Sequence, residues 1–267
     1  MSGVPTPESV LAGVEGWEGA DVSELSGGLT NRTWLVERDN RKAVLKIDAS
    51  PRGEPFNSRA TEAGIQSTAA GHGLASAVLY ADEITLLTEY VKGVVWGADC
   101  LERDHNIELV AGTLRRLHSL PLSGRSFDSI IAAKRYVARI DNADSTLVEH
   151  CTRVIETMRQ PHNLCSCHND LVAGNIITTP DMMFLDWEYA CDNDPFFDLA
   201  TIVEHHELSE DVSARLLDAY FDGDGQRWWP RLREQRDLYL ALLWLWLASR
   251  PDGSQEELDS IATRILA

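Results

Sequence analysis

A chain of 267 residues with 44% hydrophobic content can bury one large core or two smaller ones, and is too apolar for a disordered tail. Its formal charge of −18, from 24 Lys+Arg against 42 Asp+Glu, repels phosphate backbones and anionic lipid, so neither nucleic acid nor membrane is expected as a partner. The opening MSGVPTPESVLAGVEG carries no basic segment before an apolar core, and no stretch reaches the roughly 18 apolar residues of a membrane span. Cys100, Cys151, Cys165, Cys167 and Cys191 form an odd set without a CxxC pair; they read as reduced thiols of a cytoplasmic protein, not as a disulfide frame or zinc site.

In chain order, TWLVERDNRKAVLKID holds two β-rich runs, Thr33–Val36 and Ala43–Ile47, around a polar Asp39-Asn40 turn, which is a hairpin pattern. Helix-forming residues follow over 59–70, stopped by Gly71 and Gly73, and then two short apolar runs, Ala77–Tyr80 and Ile84–Val91. Past Gly93 the pattern turns helical. Ile107, Val110, Leu114 and Leu117 share one face of a helix that Pro121 ends. Further helical stretches are expected near 129–159, 208–220, 232–249 and 255–266, with a β-rich insert at 164–187 among them. The expected organisation is a β-rich segment over 1–91 and a mostly helical one over 92–267.

The densest chemistry lies in CHNDLVAGNIITTPDMMFLDWEYACDNDPFFDLA, residues 167–200. Asp170 precedes Asn175 by five positions, and Asp186 follows the apolar run MMFL. A turn centred on Pro180-Asp181 would pair Thr179 with Met182 and, four steps back, Asn175 with Asp186. Opposed residues point to one face with Cβ atoms about 5 Å apart. An amide oxygen and a carboxylate so placed could share a hard cation such as Mg²⁺. A slip of one residue would undo the argument.

This segment resembles the choline/ethanolamine kinase and aminoglycoside phosphotransferase superfamily, with His168-Asn169-Asp170 and DWEYA nearest to its choline kinase and bacterial thiamine kinase branch. LSGGLTNRTWLV, residues 25–36, is similar to the GGxTN turn of choline kinases. The resemblance implies an α+β, bilobal, protein-kinase-like fold: a nucleotide-binding N-lobe at 1–91, a catalytic C-lobe at 92–267, and ATP between them. It implies that Gly27, Gly28, Thr30 and Asn31 cover the ATP phosphates. Lys46, in AVLKID, would contact those phosphates, with Glu62 as its carboxylate partner and Glu54 as an alternative. Main chain from Glu89 to Val91 would meet adenine.

By the same resemblance Asp170 takes the acceptor hydroxyl's proton, and Asn175 and Asp186 hold Mg²⁺. His168 and Asp198 brace the loop, and His118, in LxxLH, is a buried hydrogen-bonding histidine. Glu188, Tyr189, Asp192 and Trp244 are the acceptor-side candidates. Carboxylates and ring faces suit a positively charged alcohol of the choline, ethanolamine or thiamine type. Trp244 and Trp246 lie two apart, roughly 200° around a helix, so only one can face such a site. Two other readings stay open: an aminoglycoside phosphotransferase and a non-catalytic nucleotide-binding module.

Overall fold

The structure, a computed structural model, describes residues 4–25, 32–48, 58–141, 144–158, 161, 163–251 and 253–266. Along the chain run α1 (Pro7–Leu11), β1 (Asp21–Leu25), β2 (Arg32–Arg38), β3 (Arg41–Ile47), α2 (Arg59–Gly71), β4 (Val78–Ala81), β5 (Thr85–Glu89) and β6 (Val94–Val95). Next come α3 (Asp104–His118), α4 (Ser129–Val137), α5 (Ser145–Thr157), β7 (Cys165–Cys167), β8 (Ile176–Thr179), β9 (Asp181–Phe184) and β10 (Cys191–Asn193). The chain continues through α6 (Pro195–His205), α7 (Glu210–Tyr220), α8 (Trp229–Ala248) and α9 (Gln255–Ile265). No helix among the described residues is long and apolar enough to cross a membrane.

The chain divides into two compact units, 1–97 with 174–190, and 98–173 with 191–267. The sequence placed the boundary near 91 and kept 174–190 with the helical segment; the contacts put that hairpin with the N-terminal sheet.

The first unit is built on a five-stranded sheet in the order β1-β2-β3-β5-β4. Asp39 and Asn40 both adopt positive φ, the requirement of a two-residue turn whose twist matches its strands, and this sets Arg38 against Arg41. The alternation then puts Trp34, Val36, Ala43, Leu45 and Ile47 into one core with Leu11, Val14 and Trp17. A second sheet joins β6, β8 and β9. Gly93 permits it: a Cβ there would lie 2.4 Å from the carbonyl oxygen of Thr178.

The β8–β9 register corrects the sequence reading. Thr179 pairs with Asp181 around Pro180, and Ile176 with Phe184, one residue off the expected ladder. The observed pairing puts buried Ile176, Met182 and Phe184 on one face. Asn175, in a 3₁₀ turn over Ala173–Asn175, lies opposite Leu185, whose N–H donates to its carbonyl at 2.8 Å. Asp186 lies beyond β9 with φ 59°. Both residues are outside the ladder, so pleat alternation does not decide where their side chains point.

The second unit is helical around α8, against which α4, α5, α6 and α9 pack, while α3 packs on α7. A short β7–β10 pair adjoins them. The stretch expected as helix at 129–159 is two helices, α4 and α5. Helix α6 was not read from the sequence because it is apolar on nearly every side: Phe196 through Glu204 are all buried, and a helix buried all round shows no 3.6-residue stripe.

Candidate active site

In the first unit, Lys46 stands on β3 opposite Leu86, and Asp186 follows β9. The Lys46 Nζ lies 2.7 Å from Asp186 Oδ1, with the lysine side chain 14% exposed. Burial works against the ammonium charge, but the Asp186 and Glu62 carboxylates outweigh it, with Arg59 opposing and Glu188 adding, so the Lys46 pKa is raised. The lysine is held charged.

Glu62 is not its ion-pair partner here. Glu62 lies fully buried in the first turn of α2, 2.6 Å from Arg59, which also reaches Asp48 at 2.8 Å. Burial raises the Glu62 pKa, moderated by Lys46 and Arg59. Its Oε1 is buried without a hydrogen-bond partner. Sequence reasoning missed Arg59; a charged residue that starts a helix ordinarily reads as exposed. Glu188, in the 3₁₀ turn Trp187–Tyr189, is also buried and acts electrostatically on Lys46 and Glu62. Tyr189 ends that turn, half-buried.

At the end of the sheet, the N–H groups of Glu89 and Tyr90 donate to the carbonyls of Ala77 (2.8 Å) and Lys42 (3.1 Å). Val91 is the next amide along. Gly27, Gly28, Thr30 and Asn31 lie outside the described residues, as does Glu54.

In the second unit, the His168-Asn169-Asp170 turn leaves β7 and is anchored by one carboxylate. Asp198 of α6 is fully buried and accepts from the N–H of His168 (2.9 Å) and of Asn169 (2.6 Å). Its Oδ2 is also 3.1 Å from Nε2 of His118, whose Nδ1 lies 2.6 Å from the Tyr220 hydroxyl. Asn169 takes a positive φ of 65°, a conformation asparagine tolerates. Its amide is fixed by Asn193 Nδ2 at 2.8 Å and by Cys191 Sγ at 3.1 Å. Asp170 follows directly. Burial raises the pKa of the Tyr239 phenol on α8, and the nearby charge of Asp170 adds to the rise.

Two acceptor-side expectations are corrected. Asp192 is buried and its oxygens accept from Ser123 N–H (2.8 Å), Ser123 Oγ (2.9 Å) and Gly124 N–H (2.8 Å), so it braces a turn. Trp244 is buried in the core, about 140° around α8 from Tyr239 at 3.6 residues per turn. Tyr239, whose phenol the charge of Asp170 acts on, packs edge-to-face on Phe197 at 5.9 Å. Asp194 caps α6 and pairs with Arg231.

A buried lysine against the aspartate after a β-hairpin, and an aspartate on a carboxylate-anchored turn, define the protein-kinase-like class of phosphotransferase folds. Residues 21–235 match the family described as "Phosphotransferase enzyme family" (APH), and the chain belongs to that family. It is 31% identical over 208 residues to Protein LicA of Haemophilus influenzae, covering 73% of this chain and 61% of that protein. It is 28% identical over 160 residues to the thiamine kinase of Escherichia coli O81 (strain ED1a), covering 55% of this chain and 56% of that protein. The chain thus spans less than two thirds of either curated relative. The fold is that of the choline kinase LicA from Streptococcus pneumoniae, with a TM-score of 0.75 at 19% identity over 92% of both chains.

Proposed function

We propose that this chain transfers the terminal phosphoryl group of ATP, with Mg²⁺, to the hydroxyl of a small cationic alcohol. The observation that carries this reading is the buried Lys46–Asp186 contact. It joins a held positive charge, suited to phosphate oxygens, to a carboxylate suited to a divalent ion, in a chain of the phosphotransferase family. The donor set also fits: the Asp186 carboxylate and the Asn175 amide are hard oxygen donors of the kind magnesium selects. When bound, the Mg²⁺ nucleotide supplies the phosphoryl group and the neutralisation of its charge.

The rest falls to the protein. Lys46 Nζ orients the phosphates. The Glu62 carboxylate, with one oxygen on Arg59 and the other buried without a partner, is where Lys46 turns when Asp186 is engaged. Asp170 accepts the acceptor hydroxyl's proton and aligns its oxygen, while Asp198 keeps the turn in place. Val91 N–H is the main-chain candidate for adenine, and residues 27–31 are the candidates for the phosphates. Positioning and charge complementarity carry most of such a reaction.

Similarity to a thiamine kinase, and the charge of −18, support a cationic acceptor. Tyr189, half-buried, is the ring we assign to the acceptor, with Glu188 of the same turn as its acidic neighbour. A coupled assay with choline, ethanolamine, thiamine, an aminoglycoside and a neutral sugar tests this. Turnover is expected on one of the first three. Preference for the sugar overturns the cationic acceptor, preference for the aminoglycoside moves the chain to the antibiotic branch, and no phosphoryl transfer to any of them overturns the activity.

Lys46→Ala removes a charge-assisted contact of about 1.5–3 kcal/mol. kcat/KM for ATP should therefore fall on the order of tenfold to a hundredfold. Unchanged kinetics at limiting ATP would assign the phosphates to another basic residue.

A further inference from the structure

Behind the Asp198-anchored turn lies a set of side chains that the phosphotransfer reading does not use. Cys165 and Cys167 are two apart on β7, so both side chains leave the same face of the strand, and their Sγ atoms are 3.4 Å apart. His118 arrives from α3, 47 positions before Cys165, and brings a ring nitrogen within 4.8 Å of both sulfurs. Neither cysteine is in a disulfide. Cys167 is buried and Cys165 half-buried, which leaves an approach from the Cys165 side.

The protonation of His118 follows from its partners. The Asp198 carboxylate accepts, so Nε2 carries a proton, and in the neutral ring this leaves the Nδ1 lone pair facing the Tyr220 hydroxyl. A metal-binding histidine is commonly arranged this way, with one ring N–H donated to a carboxylate and the other nitrogen on the ion. Two sulfurs and an imidazole nitrogen are the donors that zinc-type ions select. With zinc–sulfur bonds of about 2.3 Å at tetrahedral angles, bound thiolates sit roughly 3.8 Å apart. The present 3.4 Å separation has to open by only a few tenths of an ångström.

We propose that Cys165, Cys167 and His118 form a binding site for a thiophilic divalent ion of the zinc type. Entry of the ion displaces the Tyr220 hydroxyl from Nδ1 and releases the two thiol protons to solvent; the phenol oxygen or a water fills the fourth position. The Nε2–H stays on Asp198, so the anchor of the 168–170 turn is kept. An occupied site ties α3 to β7 next to that turn and stabilises the second unit. The cysteines span one residue instead of the two of a CxxC pair, and their third partner is remote in sequence, so the spacing did not suggest a site.

The test uses the full chain, reduced and metal-free, titrated with Co²⁺. One equivalent should bind with a thiolate-to-cobalt charge-transfer band and visible bands of tetrahedral intensity. Zn²⁺ should displace it, and the melting temperature should rise with either ion. Cys165→Ser should lose the band while melting like the metal-free wild type, which separates ligand loss from misfolding; Cys100→Ser should retain it. Absence of the charge-transfer band in the wild type, or its survival in Cys165→Ser, overturns the proposal.

Discussion

Asp170→Asn is expected to lower turnover by about 10²-fold or more, the scale of a general base, while ATP affinity and melting temperature stay close to wild type. The substitution keeps the shape of the side chain but removes its negative charge and its capacity to take a proton. The turn that carries it is held by main-chain groups of His168 and Asn169 on Asp198, which the change leaves alone. Steady-state kinetics with a saturating acceptor, nucleotide binding by calorimetry and a thermal melt together check the prediction. Turnover near wild type would remove Asp170 from the role of base. A parallel fall in melting temperature would make it a structural residue instead.

Asp198→Ala should be the most destabilising single change considered, at about 3–5 kcal/mol, because it strands buried donors. The two N–H groups of His168 and Asn169 and the His118 ring all lose their acceptor at once, in a site with no solvent exposure at the carboxylate. Asn169 is in the left-handed region, so the loss also frees the chain to relax from a conformation it does not prefer. The melting temperature should fall on the order of 10 °C, and turnover should drop even where the protein is folded. Asp198→Asn, which keeps one acceptor oxygen, should recover part of both. Wild-type stability in the alanine variant would show that the three donors find other partners.

The β8–β9 hairpin shows how far local patterning reaches. The apolar runs IITT and MMF around Pro180 were legible as paired strands, yet the turn chemistry of Pro180-Asp181 suggested a two-residue loop. Burial of Ile176, Met182 and Phe184 on one face outweighed it; register follows the buried face, and one residue of slip reverses every side chain. Asp186, just past β9, takes a positive φ and meets Lys46 with its carboxylate, an arrangement that no strand count predicts.

The sequence by itself determined the family-level reading and the local elements. The Asp39-Asn40 hairpin, the α2 and α3 faces and the order of Lys46, Asp170, Asn175 and Asp186 rest on turn chemistry, periodicity and motif spacing, all properties of neighbours in the chain. Only the tertiary structure decided the charge partners. Glu62 is on Arg59 and Lys46 on Asp186; Asp192 closes the Ser123 turn and Trp244 fills the core; the charge of Asp170 acts on the Tyr239 phenol. The reason is electrostatic. Inside a buried cluster, desolvation makes each charge depend on every other within a few ångströms, and those neighbours come from strands, helices and turns up to 140 positions apart, as Lys46 and Asp186 do.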